Sequence, residues 1–141
     1  MESNTALILT GLETGLPVLL LHFVATVLLF LVGVGAYVLV TPLHERELLA
    51  SGNRAAGIVL GGSVVALAVP LAATLATSLS LLDIVIWGAI ALVLQIVTFG
   101  VAVLLFRDLR RMIENGNVAA ATPLAALQLG IALLNAGAMA G

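Results

Sequence analysis

The chain of 141 residues has no cysteine and no lysine, a single tryptophan, and charged side chains at only 9% of its positions. Without cysteine there is no thiolate nucleophile, no disulfide and no Cys-ligated metal, and thiols carry no information about redox compartment. The charges are five Arg, five Glu and two Asp, for a net charge of −2. So little basic surface does not neutralise a run of phosphates, which excludes a nucleic-acid partner. What fills the space is apolar: 62% of the residues are hydrophobic and the mean hydropathy is +1.28. A water-soluble domain is nearer half apolar and a quarter charged, so this composition places the chain in a membrane.

The intervals between the charges give the architecture. Arg54 to Asp83 encloses 28 uncharged residues, Asp83 to Arg107 encloses 23, and 27 follow Glu114. In the first third, Leu16 to Val40 supplies 25 uncharged residues whose one group titrating near neutral pH is His22. A hydrocarbon core of about 30 Å is crossed by about 20 helical residues. Four transmembrane helices are therefore expected, at Leu16–Val40, Ala55–Leu79, Leu82–Phe106 and Val118–Ala140. The apolar runs are continuous and do not alternate with period two, which favours helices over a barrel. The expected fold is an all-α integral membrane protein, a single membrane domain over 1–141.

The start of the chain carries Glu2 and Glu13 and no basic residue, unlike the positive n-region of a signal peptide, so the first helix is expected to be retained. Arg46 and Arg54 fall in the first interhelical loop, and Arg107, Arg110 and Arg111 in the third. By the positive-inside rule both Arg-bearing loops face the cytoplasm and both termini face the periplasm or exterior.

Shifting the sequence by 64 places sets Gly52-Asn53-Arg54-Ala55-Ala56 against Gly116-Asn117-Val118-Ala119-Ala120. The chain reads as two helical hairpins, 15–79 and 80–141. Each crosses twice, so the copies share one topology; this predicts a parallel repeat with a pseudo-two-fold axis along the membrane normal. The same shift pairs a stripe of small residues, Gly57, Gly61, Ala68, Ala72 and Ala76, with Ala121, Ala125, Ala132, Ala136 and Ala140. Their spacing keeps each set on one helix face. Helices in lipid associate by close backbone approach at such faces, so helix packing, within the chain or in a homo-oligomer, is the reading preferred to a ligand groove.

In the loops, Pro42 can stop the first helix, and each Gly-Asn offers a residue tolerant of positive φ followed by an N-cap. Arg107, Arg110, Arg111 and Glu114 stand at helical spacing, so the third helix is expected to project from the membrane, where it can meet anionic headgroups or a cytoplasmic protein partner. Snorkelling and topology alone also account for these arginines.

Polar groups within the spans are the candidates for chemistry or transport. His22 can titrate near neutral pH as a proton relay or gate, or satisfy itself at headgroup level. Ser80-Leu-Leu-Asp83 fits a capping box, with Asp83 in the first turn, and Trp87 suits an interfacial belt. Gln95, Gln128 and Asn135 lie deeper, where amides hydrogen-bond across helices or join a polar pathway. His22 and His44 do not make a metal site by spacing, no catalytic triad is indicated, and no cofactor is implied. The protein is not expected to be an enzyme.

The segments Gly52–Gly62, Ser80–Gly88, Glu114–Ala120 and Leu134–Met139 together resemble the YjfL-type family of small bacterial inner-membrane proteins, a family of unknown function whose unit is often duplicated. The resemblance covers roughly residues 15 to 141. It implies a bacterial cytoplasmic membrane and a four-helix chain, supplies no catalytic residue, and through family-level association makes a membrane adaptor linked to envelope stress or polyamine-related chemistry worth testing. Two readings follow: an oligomeric membrane scaffold or adaptor, and a small ion or solute channel or transporter lined by His22, Gln95, Gln128 and Asn135 with Asp83 at its mouth.

Overall fold

The computed structural model of the chain describes residues 2–41, 44–105 and 108–141. Among the described residues there are six helices: α1 (Glu2–Val40), α2 (Glu45–Ala50), α3 (Arg54–Thr77), α4 (Leu81–Leu105), α5 (Leu109–Glu114) and α6 (Val118–Ala140). Among the described residues there is no strand. The four long helices are long and apolar enough to cross a membrane. Their bounds fall within two residues of expectation except at one place, since α1 begins at Glu2 and not at Leu16. Polar residues in that first stretch do not break it. Thr10 and Thr14 return their hydroxyl protons to the carbonyls of Ala6 and Thr10, both at 3.0 Å, which satisfies them without opening the helix. Pro42, Phe106 and Arg107 lie outside the described residues; α1 ends at Val40, ahead of that proline.

The links after α1 and after α4 each carry a short helix, α2 and α5. Arg110, Arg111 and Glu114 belong to the separate six-residue helix α5, preceded by a turn at Asp108, and are not a continuation of α4. Each short helix ends in the same way. Gly52 has φ +77° and Gly116 φ +78°, a left-handed conformation that only glycine adopts without strain. Asn53 and Asn117 then cap α3 and α6, their Oδ1 atoms accepting from Ala56 N at 3.0 Å and Ala120 N at 3.2 Å. The bonds from Ser51 N to Glu47 O, Gly52 N to Leu49 O and Asn53 N to Leu48 O recur 64 residues later from Asn115 N, Gly116 N and Asn117 N.

The most extensive interface joins α3 to α6; α1 and α3 both pack on α4. Tyr37, Val59, Leu67, Leu71, Leu92 and Phe99 form the centre of the core, where the Tyr37 and Phe99 rings meet edge to face with centroids 5.0 Å apart. In lipid such burial removes no apolar surface from water, so the helices are held by packing and hydrogen bonds. At the tightest point a β-carbon on Gly62 would stand 2.6 Å from that of Ala125. The equal burial that a two-fold axis gives to equivalent residues is missing here. Val59 and Ser63 are buried while their counterparts Pro123 and Leu127 are exposed.

Candidate functional site

Polar residues cluster along the seam where α3, α4 and α6 meet. Ser63 lies nine residues into α3, Gln128 ten into α6, and Gln95 ten from the end of α4. At about 1.5 Å per residue this sets all three roughly 15 Å from the loop end, the middle of a hydrocarbon core of about 30 Å. Gln95 and Gln128 are only 3% and 2% exposed. Gln95 Nε2 donates to the backbone oxygen of Gln128 at 2.9 Å, and Ser63 Oγ lies 2.6 Å from Gln128 Oε1 and 2.8 Å from Val59 O. A hydroxyl has one proton, so Ser63 serves either Val59 or Gln128 at a given moment. With the amide turned over, Gln128 donates to Ser63, and Ser63 keeps its proton on Val59. Nearer the other end of the same seam, Asn135 Nδ2 donates to Ala91 O at 3.2 Å.

A second polar group sits at the loop end. Glu45, the first residue of α2, is 3% exposed and Tyr37 2%; among the described residues neither Glu45 carboxylate oxygen nor the Tyr37 hydroxyl has a partner in good hydrogen-bond geometry, though the hydroxyl stands close enough to act on the carboxyl. Burial holds the Glu45 carboxyl above the usual carboxylate range, with the Tyr37 hydroxyl opposing by favouring the charged form. Gln95 Oε1 and Gln128 Nε2 complete the set of buried, partnerless polar side-chain atoms among the described residues.

Of the five residues expected to line a path, the structure brings Gln95, Gln128 and Asn135 to one seam and sets the others apart. His22 is half-buried at the wall of an open cavity of about 630 Å³ between α1 and Leu75 of α3. Asp83 lies at a different opening of about 310 Å³, beside Trp87 and Met139. Ser80 Oγ donates to Asp83 Oδ2 at 2.7 Å and accepts from Asp83 N at 3.2 Å, the expected cap of α4. A third opening of about 760 Å³ lies between α4, α5 and α6, lined by Leu105, Leu109, Pro123 and Leu127.

The small residues divide in the same manner. Ala121, Ala125 and Ala132 are buried, Ala136 is half-buried and Ala140 exposed, whereas on α3 Gly61, Ala72 and Ala76 are exposed and Gly57 and Ala68 half-buried. Arg46, Arg54 and Arg111 are exposed, and Arg110 pairs with Glu114 at 2.8 Å. Reasoning from sequence passed over Tyr37, Glu45, Ser63 and Gly62. Glu45 stands beside Arg46 and Glu47, where a charge reads as solvated, and Gly62 is next to the chosen Gly61 but about 100° round the helix. The one tyrosine of the chain, set within an apolar span, is the signal by which the loop-end group could have been found.

Comparison with known proteins adds two findings. Residues 11–139 match the model of the Domain of Unknown Function family DUF350. Over 116 residues, 82% of this chain, it is 32% identical to UPF0719 inner membrane protein YjfL of Escherichia coli K12, covering 86% of that protein, and equally to its counterpart in Escherichia coli O157:H7. No solved structure matches.

Proposed function

The chain belongs to the DUF350 family, of the YjfL type, and from that premise we propose that it is an oligomeric scaffold of the bacterial inner membrane. The observation that carries this reading is the junction of Ser63, Gln95 and Gln128. Three polar side chains at mid-depth are bonded from helix to helix, so the polar atoms available there tie α3, α4 and α6 into a block. The helix faces outside that block carry large apolar side chains and small exposed residues, the surface through which copies associate in lipid. In this reading the loops with Arg46, Arg54, Arg107, Arg110 and Arg111 face the cytoplasm, with both termini outside, and recruit anionic headgroups or a protein. Native mass spectrometry of the chain in lipid nanodiscs tests the assembly: a defined multimer supports it and a monomer at all lipid ratios overturns it. Changing Arg107, Arg110 and Arg111 to Gln, with topology checked, separately tests recruitment through loss of lipid or protein binding.

A second reading, a small-solute channel or transporter, draws on the partnerless buried atoms of Glu45, Tyr37, Gln128 and Gln95, which water along the seam would satisfy. A flux across liposomes that falls on Gln95→Leu favours this reading. A stable multimer with no flux over a broad ion and polyamine panel removes it.

A further inference from the structure

The hairpins of this chain do not meet like to like. On α3, Val59, Ser63, Ala66 and Pro70 are buried, and their counterparts 64 residues on, Pro123, Leu127, Gly130 and Leu134, are exposed, two of them at 43% and 74%. In the opposite sense Ala121 and Ala125 are buried on α6, while their counterparts Gly57 and Gly61 are half-buried and exposed. Helix α3 packs on α4, yet α6 makes no extensive contact with α1, the pair that a two-fold axis would make equal to it. This is the burial pattern of a heterologous contact, in which one surface of a unit meets a different surface of the next. One copy of each surface is used inside the chain, and one of each is left over.

We propose that the leftover surfaces are complementary: the α4/α6 face of one chain, including the opening of about 760 Å³ beside α5, receives α1 and α3 of a second copy, as α1 and α3 receive α4 and α6 within the chain. The proposal rests on the scaffold reading and names its partner and geometry. Each internal contact, raised by 64 on its first-hairpin side and lowered by 64 on its second, gives a contact between copies. The approach of Gly62 to Ala125 becomes Ala126 against Gly61 of the second copy. Both positions are exposed, and a β-carbon on Gly61 meets nothing within 4 Å in the chain itself. The approach of Gly33 to Leu92 becomes Val97 against Leu28, which are 55% and 58% exposed.

The loops give an independent line. Asn53 Nδ2 donates to Ile113 O at 2.9 Å and Glu114 O at 3.0 Å, joining the hairpins. Its counterpart Asn117 uses its Oδ1 for the cap, and its Nδ2 makes no hydrogen bond among the described residues. Under the same rule that nitrogen donates to the carbonyls of Leu49 and Ala50 of the second copy, residues exposed in a single chain.

Because the chain has no cysteine of its own, the test is disulfide formation between two differently tagged chains co-expressed in one membrane. Mixed disulfides are expected from G61C with A126C and from L28C with V97C, with little from G61C paired with itself. G61L is expected to abolish the multimer while helix content and thermal stability of the chain stay as in the parent, since its own structure leaves that side open. A strong G61C self-disulfide without the mixed one overturns the proposal in favour of a two-fold contact. A multimer in nanodiscs that forms neither mixed disulfide and survives G61L overturns the proposed faces and leaves the scaffold reading standing, whereas a monomer throughout overturns both.

Discussion

Gly62 on α3 faces Ala125 on α6 so closely that a β-carbon on the glycine would stand 2.6 Å from the alanine's β-carbon and 3.1 Å from its α-carbon. The nearer neighbours are a stub and a backbone atom, which have no flexible end to move aside. Gly62→Ala is expected to destabilise the detergent-solubilised monomer by about 1–3 kcal/mol, the usual range for overpacking. Gly61→Ala, where the space is open, is expected to be neutral or stabilising by up to about 1 kcal/mol through helix propensity. Reversible unfolding of both variants decides the matter, and equal stabilities would show that α3 and α6 are not in this register.

The two capping asparagines are expected to differ although their caps are alike. Asn117→Ala removes one N-cap, a loss of about 1 kcal/mol. Asn53→Ala removes a cap and also the two bonds to Ile113 O and Glu114 O, each worth about 0.5–1.5 kcal/mol net. The measurement is the difference between the two single variants in the monomer, with Asn53→Ala expected to be the more damaging.

At mid-depth, Ser63→Ala and Gln128→Leu are expected to be coupled. Double-mutant cycles on polar pairs in membranes average about 0.6 kcal/mol and reach about 1.7 kcal/mol, so a cycle over these two residues is expected in that range. Additive losses would mean that the 2.6 Å contact contributes nothing in lipid.

Glu45 makes stability depend on pH. Its carboxyl is raised in the folded chain above its ordinary value of 4.5, so the folded state binds the proton more tightly than the unfolded state. Stability is then highest below 4.5 and falls as pH rises toward the folded value, where the buried charge must form with no ion pair of its own among the described residues. Glu45→Gln is expected to flatten that fall. Thermal unfolding from acid to neutral pH compares the two chains, and a parent whose stability rises across the same window would contradict the assignment.

The spacing of charges along the sequence was enough to place α3, α4 and α6, because in a membrane the cost of burying a charge fixes where a span can end. The Gly-Asn turns were equally legible, since positive φ and an N-cap oxygen each demand a narrow choice of residue. The start of α1 was not, because Glu13 closes the uncharged run in sequence but, like Gly11 and Thr14, fits within a helix whose hydroxyls bond backward. Nor was the face on which Gly57 and Gly61 lie. Matching by a shift of 64 assumes that equivalent residues share an environment, and a heterologous contact gives them opposite ones. Glu45 was not legible for a related reason: its position in a charged loop reads as solvated, whereas in the fold α2 packs on α3 and Glu45 is buried beside Tyr37.

The length of α1 bears on the lipid around the molecule. Its 39 residues make a rod of about 58 Å at about 1.5 Å per residue, set in hydrocarbon of about 30 Å. A tilt of about 40°, the upper end for membrane helices, shortens its projection only to about 45 Å. The excess is of mixed character: Leu7, Ile8, Leu9 and Leu12 are all more than half exposed, beside Thr10, Glu13 and Thr14. The cost of burying Glu13 sets the hydrocarbon edge near that residue, so the turns of α1 before it extend into the headgroup layer on one flank of the molecule. A row of such chains would set these segments side by side, a continuous band at headgroup level along the α1 side.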